Sequence, residues 1–215
     1  GSKSHMTTIN LSEFKEAHKT AMLFGAPAGY VGYGEGGVLT EAVRRQPYHL
    51  VLLDEIEKAH HSIHEVFYQI FDQGFAQDGQ GRTIDFSNTL FVLTSNIGSN
   101  RIIENRSANH SDSNEDLTEV VKQEMIDYFS PAFIGRLELV LFRALDQNNA
   151  KQIIQQQLEH VRRRIEDNQC RKVTFTDEII EMILEQSQYQ QTGARSFDQV
   201  IRQQVLPSML EAMTG

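Results

Sequence analysis

Apolar residues gather in this chain as short runs first and at helical spacing later. Residues 8–11, 49–53, 89–94 and 137–142 are brief runs rich in Ile, Leu, Val, Phe and Thr, the signature of strands. Between them, residues 38–45 and 63–72 carry apolar positions at helical intervals. Alternation of this kind predicts an α/β fold, a parallel sheet flanked by helices. Beyond Asp146 the pattern turns helical: Ile153, Ile154, Leu158, Val161 and Ile165 share one face, and Ile179, Ile180, Ile183 and Leu184 begin another amphipathic helix. Val173-Thr174-Phe175 suggests one short strand between them. The expected organisation is a large α/β part over residues 7–143 and a small, mostly helical part over 144–215. The polar stretch 105–116 reads as a mobile surface loop. Gly1-Ser2-Lys3-Ser4-His5-Met6 reads as an expression scar and is set aside, so that the native segment opens on Thr8-Ile9-Asn10-Leu11.

Composition narrows the class. A length of 215 residues allows a large and a small domain, and 40% hydrophobic with 23% charged residues suits a soluble globular protein. No apolar run approaches the roughly 20 residues needed to cross a bilayer and no secretory signal opens the chain, which predicts a cytoplasmic protein with no membrane partner. Cys170 is the only cysteine, which excludes intrachain disulfides and cysteine-rich zinc sites. A net charge of -9 argues against nucleic acid as a partner, since phosphate backbones require a basic face.

Candidate chemistry centres on Val51-Leu52-Leu53-Asp54-Glu55, an apolar strand ending in adjacent carboxylates. Ligands of open α/β sheets sit at the carboxyl ends of the strands, where one carboxylate can hold Mg²⁺ against nucleotide phosphates and the other can polarise an attacking water. Leu90-Phe91-Val92-Leu93-Thr94-Ser95-Asn96 is expected to run parallel to it, and Asn96 is either a reader of phosphate or water, or a strand-end turn former. Gly29-Tyr30-Val31-Gly32-Tyr33-Gly34 lies in a glycine-dense loop that holds an aromatic out of the core, unless Tyr30 folds back as a plug. Gly32-Tyr33-Gly34-Glu35-Gly36-Gly37 formally matches a dinucleotide fingerprint and is rejected, because no strand leads into it. His60, His61 and His64 are read as a solvated helix face, since no remote metal ligand accompanies them. Arg136 precedes an expected strand and Arg195 opens a late helix; either can be a surface arginine, or can face a transferring phosphoryl group.

Tyr30-Val31-Gly32-Tyr33, Leu39-Thr40-Glu41-Ala42-Val43-Arg44-Arg45, Leu53-Asp54-Glu55-Ile56-Glu57-Lys58-Ala59-His60, Asp78-Gly79-Gln80-Gly81-Arg82-Thr83-Ile84-Asp85-Phe86 and Thr94-Ser95-Asn96 together resemble the second ATPase ring of the Hsp100/Clp AAA+ unfoldases. His64-Glu65-Val66-Phe67-Tyr68-Gln69-Ile70-Phe71-Asp72 and Gly135-Arg136-Leu137 look most like the ClpV branch, the ATPase of type VI secretion. The resemblance implies an AAA+ sheet followed by a helical lid, with ATP and Mg²⁺ as cofactors and a homo-hexamer that threads polypeptide, such as contracted secretion sheath. It also implies roles: Asp54 as metal ligand, Glu55 as activator of water, Asn96 as sensor 1, Arg136 as a finger acting on the adjacent subunit and Arg195 as sensor 2. Tyr30 and Val31 would grip polypeptide, and residues 74–82 would form a second pore-facing loop. The chain departs from the family in having no Gly-x-x-x-x-Gly-Lys-Ser/Thr string, so it is expected to lack the phosphate-cradling loop and to be inactive alone. Rival readings are a general disaggregase or protease-partner unfoldase of the ClpB/ClpA type, a nucleic-acid motor or clamp loader of the same superfamily, and a non-catalytic folding or interaction module.

Overall fold

The computed structural model describes residues 5–30, 33–34, 36–107, 114–142, 144–169 and 172–209. The chain divides into two compact units, Gly1–Arg101 with His110–Leu141 and Ile102–Asn109 with Phe142–Gly215.

The first unit is built on three parallel strands in the order β1 (Met6–Asn10), β2 (His49–Asp54) and β5 (Thr89–Leu93). Leu50 pairs with Met6 on one side and Leu90 on the other, and Leu52 with Thr8 and Val92. This register puts Ile9, Val51 and Leu53 on one face, where all three are buried. Helix α3 (His61–Gln73) follows β2 and brings Ile63, Phe67 and Ile70 inward at helical spacing. Phe67 and Phe71 meet Phe91 of β5, with ring centroids 6.0 and 5.2 Å apart. Phe67, fully buried, contributes about 1.5–3 kcal/mol over leaving it in water, and the half-buried Phe71 and Phe91 less. α1 (Thr20–Phe24) and α2 (Val38–Arg45) join this side through Phe24, whose ring lies 5.9 Å from Phe67. The opposite face carries Met6, Leu50, Leu52, Leu90 and Val92 in register, and Leu90 remains 64% exposed. Parallel sheets are ordinarily covered on both faces, so among the described residues this sheet lacks one layer.

His60 starts α3 by accepting the Ser62 N–H, and Gly74 ends it in the left-handed region at φ 77°. A hairpin of β3 (Phe75–Gln77) and β4 (Thr83–Asp85) then leads to β5. After β5 come α4 (Ser99–Ser107), α5 (Asn114–Met125) and the short α6 (Pro131–Ile134), capped by the Ser130 hydroxyl with Pro131 in its first turn. The second unit contains α7 (Gln147–Gln169), α8 (Asp177–Gln186), α9 (Tyr189–Thr192) and α10 (Arg195–Val200), followed by a π-helical turn, Ile201–Val205. Its core joins Ala150, Ile154 and Leu158 to Ile183, Phe197 and Ile201.

Several expectations need correction. Residues 137–142 form no strand, because a strand exists only through a ladder partner and none of the described residues supplies one; Val140 and Phe142 stay exposed. Val173-Thr174-Phe175 is likewise unpaired, and Phe175 packs against the helical core instead of a sheet. The stretch 105–116 is helical at both ends, in α4 and α5, while 108–113 lie outside the described residues. Met6, set aside with the first five residues, heads β1 opposite Leu50. His64 does not belong to a solvated face: it is buried, its Nε2–H donates to Ile56 O at 2.8 Å and its ring meets Phe129 at 4.9 Å.

Candidate functional site at the strand ends

Asp54 is the last residue of β2 and Glu55 follows it, both half-buried at the carboxyl edge of the sheet. Glu55 adopts φ 58° and ψ 53°, and is the only non-glycine of positive φ among the described residues. A conformation of this kind costs on the order of 1–3 kcal/mol and persists only where neighbours enforce it. Thr94, one residue past β5, supplies the enforcement. Its hydroxyl donates to Asp54 Oδ1 and accepts the Glu55 N–H at 3.2 Å, while its carbonyl accepts the Ile56 N–H at 3.1 Å. The backbone turns sharply there into the 3-10 segment Ile56–Lys58.

Asn96 lies beside this pair on the neighbouring strand end, exposed, with its N–H toward Glu57 Oε1 at 3.4 Å. Glu57 Oε2 is buried without a hydrogen-bond partner. Lys15, Glu57, Lys58, Asn96, Ile97 and Tyr128 line an open cleft of about 480 Å³ next to the strand ends. Asp54, Glu55 and Asn96 are therefore brought together as the sequence predicts. Thr94, which bonds Asp54 and Glu55, and Glu57, which accepts the Asn96 N–H, were not singled out; a hydroxyl residue just past the end of the adjacent parallel strand was the available signal for Thr94.

The remaining candidates lie elsewhere. Arg136 follows α6, and its guanidinium is paired with Asp72 in the last turn of α3. Asp72 lies near the far end of α3 from its start at His61, roughly 17 Å along it at about 1.5 Å per residue. Arg195 is exposed at the first residue of α10, in the second unit. Tyr30 is 70% exposed, which excludes the plug, and Val31 lies outside the described residues. No group of three or more His, Cys, Asp or Glu suited to a metal occurs among the described residues. One carboxylate completed by nucleotide phosphates remains a fitting donor set for Mg²⁺, which keeps several waters and takes few protein ligands. No described helix is long and apolar enough to cross a membrane.

A parallel sheet ending in paired carboxylates, with a polar amide just past the end of the next strand and a separate helical unit later in the chain, defines an AAA-type module. The pattern of the AAA domain (Cdc48 subfamily) matches residues 1–140, and the chain belongs to that family. The pattern of the C-terminal, D2-small domain of ClpB protein matches residues 145–215, which makes the whole an Hsp100-type C-terminal module. The chain is 39% identical over 211 residues to the chaperone protein ClpB of Yersinia enterocolitica, covering 97% of this chain and 24% of that protein. It is 41% identical over 211 residues to the AAA+ ATPase ClpV1 of Pseudomonas aeruginosa, covering 97% and 23%. A solved structure of the S. cerevisiae Hsp104:casein complex in an extended conformation superposes with a TM-score of 0.83 at 31% identity, covering 99% of this chain and 36% of that one. The chain spans about a quarter of the length of the curated relatives it matches. The family match begins at residue 1, so the opening residues fall within it.

Proposed function

We propose that this chain is part of an ATP-dependent polypeptide unfoldase that works as a cytoplasmic homo-hexamer, and that Asp54 and Glu55 carry its hydrolytic step. The observation that supports this reading is the strained Glu55 turn, held by Thr94 directly beside Asp54. ATP and Mg²⁺, when bound, supply the scissile phosphoanhydride and neutralise its charge. Asp54 holds the metal from the strand end, and Glu55 orients a water and accepts its proton. Asn96 hydrogen-bonds the water or the terminal phosphate. Arg136 is paired with Asp72 in the last turn of α3 and not with Asp54 or Glu55, and in this reading serves the nucleotide of an adjacent subunit, a contact that closes a ring. Arg195 reads bound nucleotide from the helical unit, and Tyr30 with Val31 grips the polypeptide.

Within this class the substrate is proposed to be contracted secretion sheath. Gly135 before Arg136 and the similarity to ClpV1 support that choice; the ClpB relatives support a general disaggregase instead. The 215 residues contain no phosphate-cradling loop, so they are proposed to be inactive alone. Glu55→Gln in the full-length parent tests the core of the reading: it should bind ATP, trap it in an assembled ring and hydrolyse almost none. Loss of binding as severe as the loss of turnover would sink it. Offering the wild-type parent contracted sheath and a heat-aggregated protein in parallel separates the two substrates.

A further inference from the structure

The loop that presents Tyr30 runs between Gly25 and Gly37; its base is closed by close backbone contact and by the buried Thr40 hydroxyl, which donates to Gly37 O at 3.2 Å and to Phe24 O at 3.4 Å. At Gly37 a Cβ would collide with Leu23 O, and Gly25, at φ 94°, has Gly79 N 3.1 Å from the place a Cβ would take. Gly79 belongs to the turn between β3 and β4, and a Cβ there would lie 2.5 Å from both Ala26 O and Gly25 C. Its N–H donates to Phe24 O at 3.0 Å. Gly37 therefore lets the two ends of the Tyr30 loop close on each other, and Gly25 with Gly79 lets the hairpin turn seat directly on that base.

A charged clip closes the same joint from outside. Arg82 Nη2 reaches Glu41 Oε1 at 3.1 Å, while its Nε donates to Asp78 Oδ2 at 2.6 Å. Asp78 is buried and accepts the N–H groups of Gln80 and Arg82, both at 2.9 Å, so the turn is rigid in itself. Glu41 stands in the first turn of α2, which follows the Tyr30 loop, and its side chain occupies the space that a Cβ on Gly36 would need. One planar guanidinium thus spans the turn and the exit of the loop, a geometry that a lysine ammonium cannot copy.

We infer that the 78–82 turn is the positioning element of the Tyr30 loop, and that Gly79 and Arg82 make the two move as one body. Displacement of the hairpin is then delivered to Tyr30 as displacement of its ring, which deepens the proposed gripping role and takes its functional consequence from it. Arg82 and Gly79 act through the loop, and neither needs to touch polypeptide for this purpose.

Amide hydrogen exchange on the 215-residue chain tests the joint without relying on activity. Tyr30 N–H and Tyr33 N–H donate within the loop, to Pro27 O at 3.2 Å and to Tyr30 O at 3.1 Å, and report on its order. Arg82→Gln and Gly79→Ala should each speed their exchange by roughly fivefold or more, the effect of losing one charge-assisted or backbone contact on a local opening. Val51 and Leu53 amide exchange in β2, the buried centre of the same unit, should not change, which excludes general unfolding of that unit as the cause. Arg82→Lys should fall between wild type and Arg82→Gln. In the full-length parent, Arg82→Gln should raise the ATP consumed per polypeptide threaded. Unchanged Tyr30 and Tyr33 exchange in both variants overturns the coupling. Faster exchange combined with full threading by a Tyr30→Ala parent upholds the mechanical joint and removes the gripping role, so the two failures are distinguishable.

Discussion

Asp54, the last residue of β2, and Thr94, one residue past the adjacent parallel β5, share a hydrogen bond, and the same Thr94 hydroxyl accepts the N–H of Glu55. One oxygen therefore aims the first carboxylate and holds the strained turn of the second. Thr94→Val keeps the shape and removes both bonds. In the full-length parent we expect turnover to fall by about tenfold or more, the scale of one net hydrogen bond placed at the reacting centre. Steady-state hydrolysis at saturating ATP checks this, and wild-type turnover in Thr94→Val would remove Thr94 from the site.

Glu55 sits where glycine would be relaxed, so stability and function should oppose each other there. Glu55→Gly relieves a strain on the order of 1–3 kcal/mol and returns part of it as backbone entropy. Urea unfolding of the chain should show a net gain of about 1 kcal/mol, while the full-length parent loses hydrolysis. A destabilised Glu55→Gly chain would show that the left-handed turn is stabilised by the Glu55 side chain itself.

Tyr30 and Phe133 make a contrasting pair of aromatics, one exposed and one buried against Phe71 and Phe129. Tyr30→Ala should change stability by about 0.5 kcal/mol or less, whereas Phe133→Ala should cost roughly 3–5 kcal/mol. Melting midpoints measured together decide the matter. A large drop for Tyr30→Ala would return that ring to the core and end its proposed role in gripping substrate.

His64 carries a pH dependence whose sign follows from its surroundings. Burial pushes its proton affinity below the ordinary histidine value, against the opposing effect of its hydrogen bond to Ile56 O; nearby His61 and His60 push the same way as burial. The unfolded chain therefore binds the proton more readily. Its contribution to stability is complete above the unfolded value near about 6.5 and is lost as the pH falls through the lower folded value. His64→Phe offers the same aromatic neighbours a ring that does not titrate. Urea midpoints at neutral and mildly acidic pH should converge in this variant, with His49, also buried, keeping a remnant of the slope. An unaltered slope would place the acid sensitivity elsewhere.

Arg136 and Asp72 form a half-exposed ion pair, so little stability should rest on it. Arg136→Ala should shift the unfolding free energy by about 1 kcal/mol or less. Its effect on the parent should be far larger: hydrolysis lost, and wild-type subunits inhibited in mixed rings out of proportion to their number. A mixture whose activity simply averages its components would exclude action on the neighbour.

Local rules account for much of this protein. The run from Val51 to Leu53 had to be a buried strand, and the helical span 38–45 is recovered with its bounds unchanged because a helix forms its hydrogen bonds within itself. The carboxylates Asp54 and Glu55, with Asn96, were legible because parallel strands deliver their ends to one edge. Other features depended on partners distant in sequence. Residues 137–142 have strand chemistry and no strand, since a ladder needs a neighbour that no local pattern guarantees. His64 lies on a polar-looking stretch and faces inward, because Phe129, between α5 and α6, and Phe133 of α6 arrive from far along the chain to cover it. The Gly25, Gly37 and Gly79 joint, the Arg82 clip and the Thr94 bridge are likewise products of folding: each joins atoms separated by a strand or a helix, at distances that only the packed chain defines. Periodicity determines what each segment can become and which face it buries; packing determines which segments meet, and with them the geometry in which Asp54, Glu55 and Tyr30 are presented.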